Sequence, residues 1–261
     1  IRAVISYKDG QDIDEVVTTA MSEIPFVKDV PPLDLLKKRE GGDEPEILDG
    51  TPGDDLIDGF GGNDTITGLA GDDILIGGDG DDEIDGGLGK NRIYGDAGDD
   101  TIISSGTNDV VDAGAGNNNI IISSTANGGQ YTSGDGNDIY NIQEGASNAT
   151  ITSGDGIDKF VVNTSTPYYY WYNGVVIDAS GDGVKTLNLL NQGYVRKFDS
   201  GSGNDVITSS EGTVIGYSHA GDINTGTGND TITLDGELGY RAQVYLGEGN
   251  DNITINGGTY G

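Results

Sequence analysis

No cysteine occurs among the 261 residues, and histidine, methionine and tryptophan occur once each. Without cysteine there is no disulfide scaffold, which suits a chain exported before it folds. Basic side chains are scarce: 13 Lys and Arg stand against 44 Asp and Glu, a formal charge of −31. With no basic stripe, nucleic acid is disfavoured as a partner. No apolar run approaches the length of a membrane span, and no n-region, h-region or cleavage site opens the sequence. No Ser-His-Asp spacing, zinc motif or phosphate loop is present. Aliphatic residues are modest and glycine numbers 46, so a thick globular core is not expected. So large a negative charge opposes compaction unless counter-cations are bound.

What is there is a fixed period. Eight consecutive nine-residue units run from Gly50 to Ile121: GTPGDDLID, GFGGNDTIT, GLAGDDILI, GGDGDDEID, GGLGKNRIY, GDAGDDTII, SSGTNDVVD and AGAGNNNII. The fourth position is Gly in seven units, the sixth is Asp in six and Asn in two, and the eighth is always Leu, Ile or Val. Such a repeat dictates a stacked architecture. Positions one to six form a turn in which glycines accept backbone angles that a Cβ forbids. Positions seven to nine form a short strand whose middle residue points inward. One unit is half a coil, and eighteen residues make a full coil with two parallel strands. Stacked coils then bury a column of Leu56 or Ile57, Ile66, Leu75, Ile84, Ile93, Ile102, Val111 and Ile120. A carboxylate recurring in a glycine-rich turn is an oxygen cage for a hard cation, and about six oxygens between loops two units apart suit calcium. Around ten such ions would neutralise most of the net charge.

The units resemble the G-G-x-G-x-D-x-U-x nonapeptide of the repeats-in-toxin (RTX) family, strictly over residues 50–121. The resemblance implies that Asp55, Asp64, Asp73, Asp82, Asp100 and Asp109 bind calcium through their carboxylates. Turn carbonyls would assist, among them those of Gly59, Gly61, Gly68, Ala70 and Gly77, with Asp79 beside them. Asn91 and Asn118 depart from the pattern, and Asn91 is flanked by Lys90 and Arg92, so their sites should be weak or empty. The resemblance also implies a secreted, extracellular or cell-surface protein that leaves a bacterial cell through type I secretion machinery. The sequence stops just after a turn, at Gly257-Gly258-Thr259-Tyr260-Gly261, without an obvious secretion tail, and is expected to be part of a longer chain.

Beyond Ile121 the nine-residue register fails, but the loop returns as SGDGNDIY from Ser133, SGDGIDKF from Ser153, SGDGVKTL from Ser180, SGSGNDVI from Ser200, TGTGNDTI from Thr225 and LGEGNDNI from Leu246. The spacings are 20, 27, 20, 25 and 21 residues. With Gly59, Gly77, Gly95 and Ala113 these loops trace one edge of an unbroken solenoid. The other edge carries aspartate loops only at Gly50, Gly68, Gly86 and Ser104. Asp138, Asp158, Asp205, Asp230 and Asp251 would continue the cation ladder. Lys185 takes the aspartate position in the Ser180 loop, and its ammonium reads as a built-in replacement for a calcium beside Asp158 or Asp205. Alternating segments such as Ala149–Ile151, Phe160–Val162, Val175–Ile177, Leu187–Leu189 and Val244–Leu246 read as half-buried strands.

Residues 1–49 differ. Ile13, Val16, Val17, Ala20, Met21 and Ile24 fall at helical spacing, with Pro25 ending the helix. Leu33 to Lys38 would add a helical turn, and Gly41-Gly42-Asp43-Glu44-Pro45 reads as a linker. The expectation is therefore all-β: a right-handed parallel β-roll or β-helix solenoid with bound calcium and a small helical N-terminal cap. Residues 1–49 form the cap and linker, 50–121 the roll, and 122–261 a wider-coil β-helix continuing the stack.

Tyr168, Tyr169, Tyr170, Trp171 and Tyr172 sit in the longest turn, where they either stack on a carbohydrate or host surface or pack against neighbouring coils. His219 with Tyr217, and Tyr240 with Arg241, would suit a lyase or epimerase acting on uronate polymers, but a lone loop histidine is more often solvated. The sequence leans away from catalysis. It favours a calcium-binding module that folds on export as calcium rises, serving a toxin, adhesin or exoenzyme.

Overall fold

The computed structural model describes residues 5–8, 14–17, 37–163, 174–191, 194–210, 214–215, 222–238 and 242–257. The chain divides into two compact units, Ile1–Leu35 and Leu36–Gly261.

In the first unit, strands Ile5–Lys8 and Asp14–Val17 pair antiparallel, with Ile5 opposite Val17. This corrects the helix expected from Ile13 onward. The adjacent β-branched Val16 and Val17 that marked an apolar helix face serve equally in a paired strand, and pairing decides between the two. No helix occurs among the described residues. The remainder of the expected helix, through Ile24, and Leu33 to Leu36 lie outside them.

The second unit is a solenoid of two 11-stranded parallel sheets. Successive strands alternate between the sheets, so each coil contributes one to each. The first sheet runs from Lys37–Glu40 to Gln243–Tyr245, the second from Ile47–Asp49 to Asn252–Ile255. Equivalent positions stack directly: Ile66 lies beside Leu48 on one side and Ile84 on the other. The eighth-position residues from Ile57 to Ile120 are buried and form the interior column, and Ile57 rather than Leu56 takes the first place in it. The period of the sequence is thus the pitch of the stack.

Stacking begins before the eight strict units. Lys37–Glu40 pairs with Asp55–Asp58, and Ile47–Asp49 pairs with Thr65–Thr67. Gly41 to Pro45 is consequently a loop of the solenoid rather than a linker: the Gly41 amide donates to Asp58 O at 2.8 Å, and the Gly61 amide to Gly42 O at 3.0 Å. Glu46 holds the sixth position there.

Past Ile121 the coils widen. On the edge without aspartate loops, Thr107, Asn127 and Ser147 still bridge in register, and Ala126 and Ala146 are buried under the turns. Strands of the second sheet lengthen and add an inner layer through Ile122, Ile142, Val162, Leu189 and Leu234. Larger side chains fill the added width. Tyr140 stacks on Phe160 with ring centroids 5.2 Å apart, and Phe160 meets Phe198 edge-on at 5.9 Å. Within the wide turns, Val214–Ile215 and Glu237–Leu238 form a two-stranded parallel pair. Tyr168 to Tyr172, Tyr217, His219, Tyr240 and Arg241 lie outside the described residues. No helix among the described residues is long and apolar enough to cross a membrane.

Candidate metal centres

Each aspartate loop turns immediately before a strand, so its sixth residue enters the coil with its side chain turned under the loop. The two carboxylate oxygens do different things. Oδ1 accepts the backbone amide of the sixth residue one coil earlier: Asp55 N donates to Asp73 Oδ1 at 2.9 Å, Asp64 N to Asp82 Oδ1 at 2.8 Å and Asp82 N to Asp100 Oδ1 at 2.9 Å. The ladder continues through Asn118, Asp138 and Asp158, and again through Asp205, Asp230 and Asp251. Asn91 and Asn118 keep it intact, because an amide oxygen accepts as a carboxylate oxygen does.

Oδ2 is left over. Among the described residues, Oδ2 of Asp64, Asp73, Asp82, Asp100, Asp138, Asp205 and Asp230 is buried with no hydrogen-bond partner. A carboxylate oxygen is not normally left dry and unpaired, because the desolvation cost is several kcal/mol (an order-of-magnitude figure of about 3–5). Burial accordingly lifts the carboxyls of Asp73 and Asp82 to about 6 and of Asp100 to about 7, and nearby acids add to the lift. Burial also raises Asp64, Asp138 and Asp205. The Ser133 and Ser200 hydroxyls lie near enough to ease the penalty at Asp138 and Asp205, without reaching either free oxygen in hydrogen-bonding geometry.

Other sixth-position acids are already satisfied. Asp55 Oδ2 accepts from Thr51 N at 2.6 Å and Thr51 Oγ1 at 2.9 Å. Asp109 Oδ2 accepts from Ser104 Oγ at 2.5 Å and Gly106 N at 3.1 Å. Asp158 Oδ2 accepts from Ser153 Oγ and Lys185 Nζ, each at 2.8 Å. Asp251 is half-buried in the last loop.

Two non-acidic residues show what the space beside Oδ2 is suited to hold. Lys185 Nζ donates to Asp158 Oδ2, to Gly154 O at 2.9 Å, to Gly156 O at 3.1 Å and to Asp182 O at 3.4 Å. In loop numbering these are the sixth, second and fourth positions of one loop and the third of the next. Asn118 Nδ2 reaches the same second and fourth carbonyls of its own loop, Gly114 O at 3.4 Å and Gly116 O at 3.5 Å. Asn91 Nδ2 is buried without a partner, so a donor stands where the other loops offer an acceptor. In the strict repeats with a free Oδ2, glycine at position one keeps the space open. A Cβ on Gly59 would lie 2.3 Å from Asp64 Oδ2 and 2.5 Å from Gly77 O, which also brings the first carbonyl of the next loop to this spot.

The donor set is therefore mostly main chain. Among the described residues no three His, Cys, Asp or Glu side chains converge. One or two carboxylates with several carbonyls make an all-oxygen set, which fits a hard cation such as calcium and not a soft one. Sequence reading missed Glu46, the division of labour within each carboxylate and the internal partners of Asp55 and Asp109. Hydroxyls at positions one and two, Ser104 and Thr51, were the available signal for the last of these.

Residues 40–75, 58–93 and 85–120 match the RTX calcium-binding nonapeptide repeat family, defined by four copies of the unit. This part of the chain is built of RTX repeats, which are calcium-binding, so multiple calcium ions are expected. No curated protein and no solved structure matches the chain.

Proposed function

We propose that this chain, carrying RTX repeats over residues 40–120, is a structural module whose compact state is assembled by calcium between successive coils. The observation supporting this most directly is the row of seven buried carboxylate oxygens without partners. In the Asp64 loop the ligands would be Asp64 Oδ2 with the carbonyls of Phe60 and Gly62, joined by Gly77 O and Asp79 O from the next loop. The same positions recur for Asp73, Asp82, Asp100, Asp138, Asp205 and Asp230. Calcium supplies there the positive charge that each buried carboxylate lacks. Dications at these seven positions would offset roughly half of the net charge of −31.

Repeats of this family are typical of secreted bacterial proteins, and the charge suits that setting. At the submicromolar calcium of a cell interior the carboxylates repel and the chain stays extended. At millimolar calcium outside, ions that bind the folded coils and not the extended chain draw it into the fold. Folding outside would also oppose return through an export channel. Calcium titration followed by far-ultraviolet circular dichroism tests this. A coil-like spectrum in chelator that becomes β on adding calcium is expected. A full β spectrum in excess chelator at neutral pH would reject the reading.

A further inference from the structure

We propose that Lys185 is a resident cation. Its ammonium fills the slot between the loops at Ser153 and Ser180, the place proposed for calcium at the seven loops with a free Oδ2, so this joint closes without added metal. The inference rests on the calcium reading for the other joints, but the seat of the ammonium stands on its own geometry.

A merely buried ion pair would need one acid and whatever polar groups lay near. Lys185 instead meets one carboxylate oxygen and three main-chain carbonyls drawn from two consecutive loops, with both charged side chains fully buried. Its carbonyls from Gly154 and Gly156 hold the same loop positions that Asn118 Nδ2 finds at Gly114 and Gly116. Nζ therefore lies at the recurring focus of the loop, not at an incidental contact. Charge agrees with this placement. The unpartnered Oδ2 of an ordinary joint needs a cation from solution, whereas here the ammonium of Lys185 meets Asp158 Oδ2 directly. The substitution exchanges an acid for a base and dispenses with the ion in one step. Asp158 Oδ2 then has no free valence, since Ser153 Oγ and Lys185 Nζ both donate to it.

The position is also informative. Lys185 follows Asp158 by 27 residues, the longest spacing on this edge, against 18 in the strict repeats. Closing a longer excursion costs more chain entropy. The joint with the largest such cost is the one whose cation is covalently attached and needs no binding step from solution.

Lys185→Asp vacates the slot at Asp158 and gives the Ser180 loop its own sixth-position carboxylate, so it should bind at least one more calcium per chain than the parent, counted by equilibrium dialysis with elemental analysis. A count equal to or below that of the parent overturns the proposal. Should the variant not fold, amine acetylation of the parent protein decides. Lys185 should label at least about tenfold more slowly than exposed Lys159, as befits a group reached only by opening of the stack. Equal labelling of the two overturns the proposal. A parent protein that binds no calcium would defeat the functional reading instead, and the labelling contrast would still report whether the ammonium is seated.

Discussion

The backbone amide of Asp82 donates to Oδ1 of Asp100 at 2.9 Å, while Oδ2 of the same carboxylate is buried without a partner. One side chain thus ties two coils together through one oxygen and presents a bare charge through the other. The two roles are separable by substitution.

Asp100→Asn keeps an acceptor for Asp82 N, as Asn118 does for Asp100 N at 3.0 Å. It should remain folded in saturating calcium, bind one ion fewer and need more calcium to fold. Asp100→Ala loses the ladder bond as well and should cost about 1–3 kcal/mol more, because a buried amide is left unsatisfied. Thermal melts and ion counts on both variants check the separation. Equal stability of the two would mean that the Oδ1 bond contributes nothing.

Cation-free protein should gain order on acidification. Burial holds Asp73 and Asp82 near 6 and Asp100 near 7 in the folded coils, against 3.8 for an ordinary aspartate. Between those values and 3.8 the folded state binds more protons than the unfolded state, so its stability rises as pH falls through that window. Circular dichroism in chelator from pH 8 down to pH 4 reads this directly. In the presence of calcium the sign reverses for affinity, since protons compete for the same oxygens and binding should weaken below about pH 7. A calcium midpoint that stays constant from pH 8 to pH 5 contradicts it.

Phe160 is fully buried between Tyr140 and Phe198. Phe160→Ala should destabilise the calcium-loaded protein by about 3–5 kcal/mol, through lost burial and the cavity left behind. It supplies no oxygen to a proposed site, so the calcium count should be unchanged. Denaturant melts paired with ion counting separate the two effects.

Gly80 has φ +138°, and a Cβ there would lie 1.9 Å from Gly62 O. Gly80→Ala therefore pushes a methyl into the joint between two loops in a conformation that L residues avoid. Both stability and calcium binding at the Asp64 joint should fall. The exposed fifth-position change Asp81→Ala removes an acceptor for Asp99 N at 2.9 Å but leaves the free oxygens in place, and should affect binding less. Calcium titration of the two variants makes the comparison.

Much of the stack is visible in the letters. The nine-residue period predicts the pitch, the eighth-position column and, through spacings of 20 to 27 residues, the edge that persists into the wide coils. What escapes is whatever depends on single atoms or on pairing at a distance. Asp and Asn share the oxygen that closes the ladder, so letters alone do not reveal that two functions reside in one residue. A position-one serine is ambiguous for the same reason. Ser104 and Ser153 bond their own aspartates, whereas Ser133 Oγ accepts from Tyr140 OH at 2.9 Å and leaves Asp138 Oδ2 free. The loop at Gly41 is hidden because Pro45 and Glu46 replace the usual residues at positions five and six, though the backbone bonds that define the loop need neither. Strand Asp14–Val17 carries a pattern compatible with a helix, and only its partner Ile5–Lys8 distinguishes the two.

In-register stacking has a consequence for evolution and for engineering. Every rung of the two 11-stranded sheets bonds only to the rungs directly before and after it. A column made this way has no keystone. Whole coils of 18 residues could be spliced in or out of the strict half, changing reach and ion capacity in equal steps while each remaining joint keeps its own chemistry.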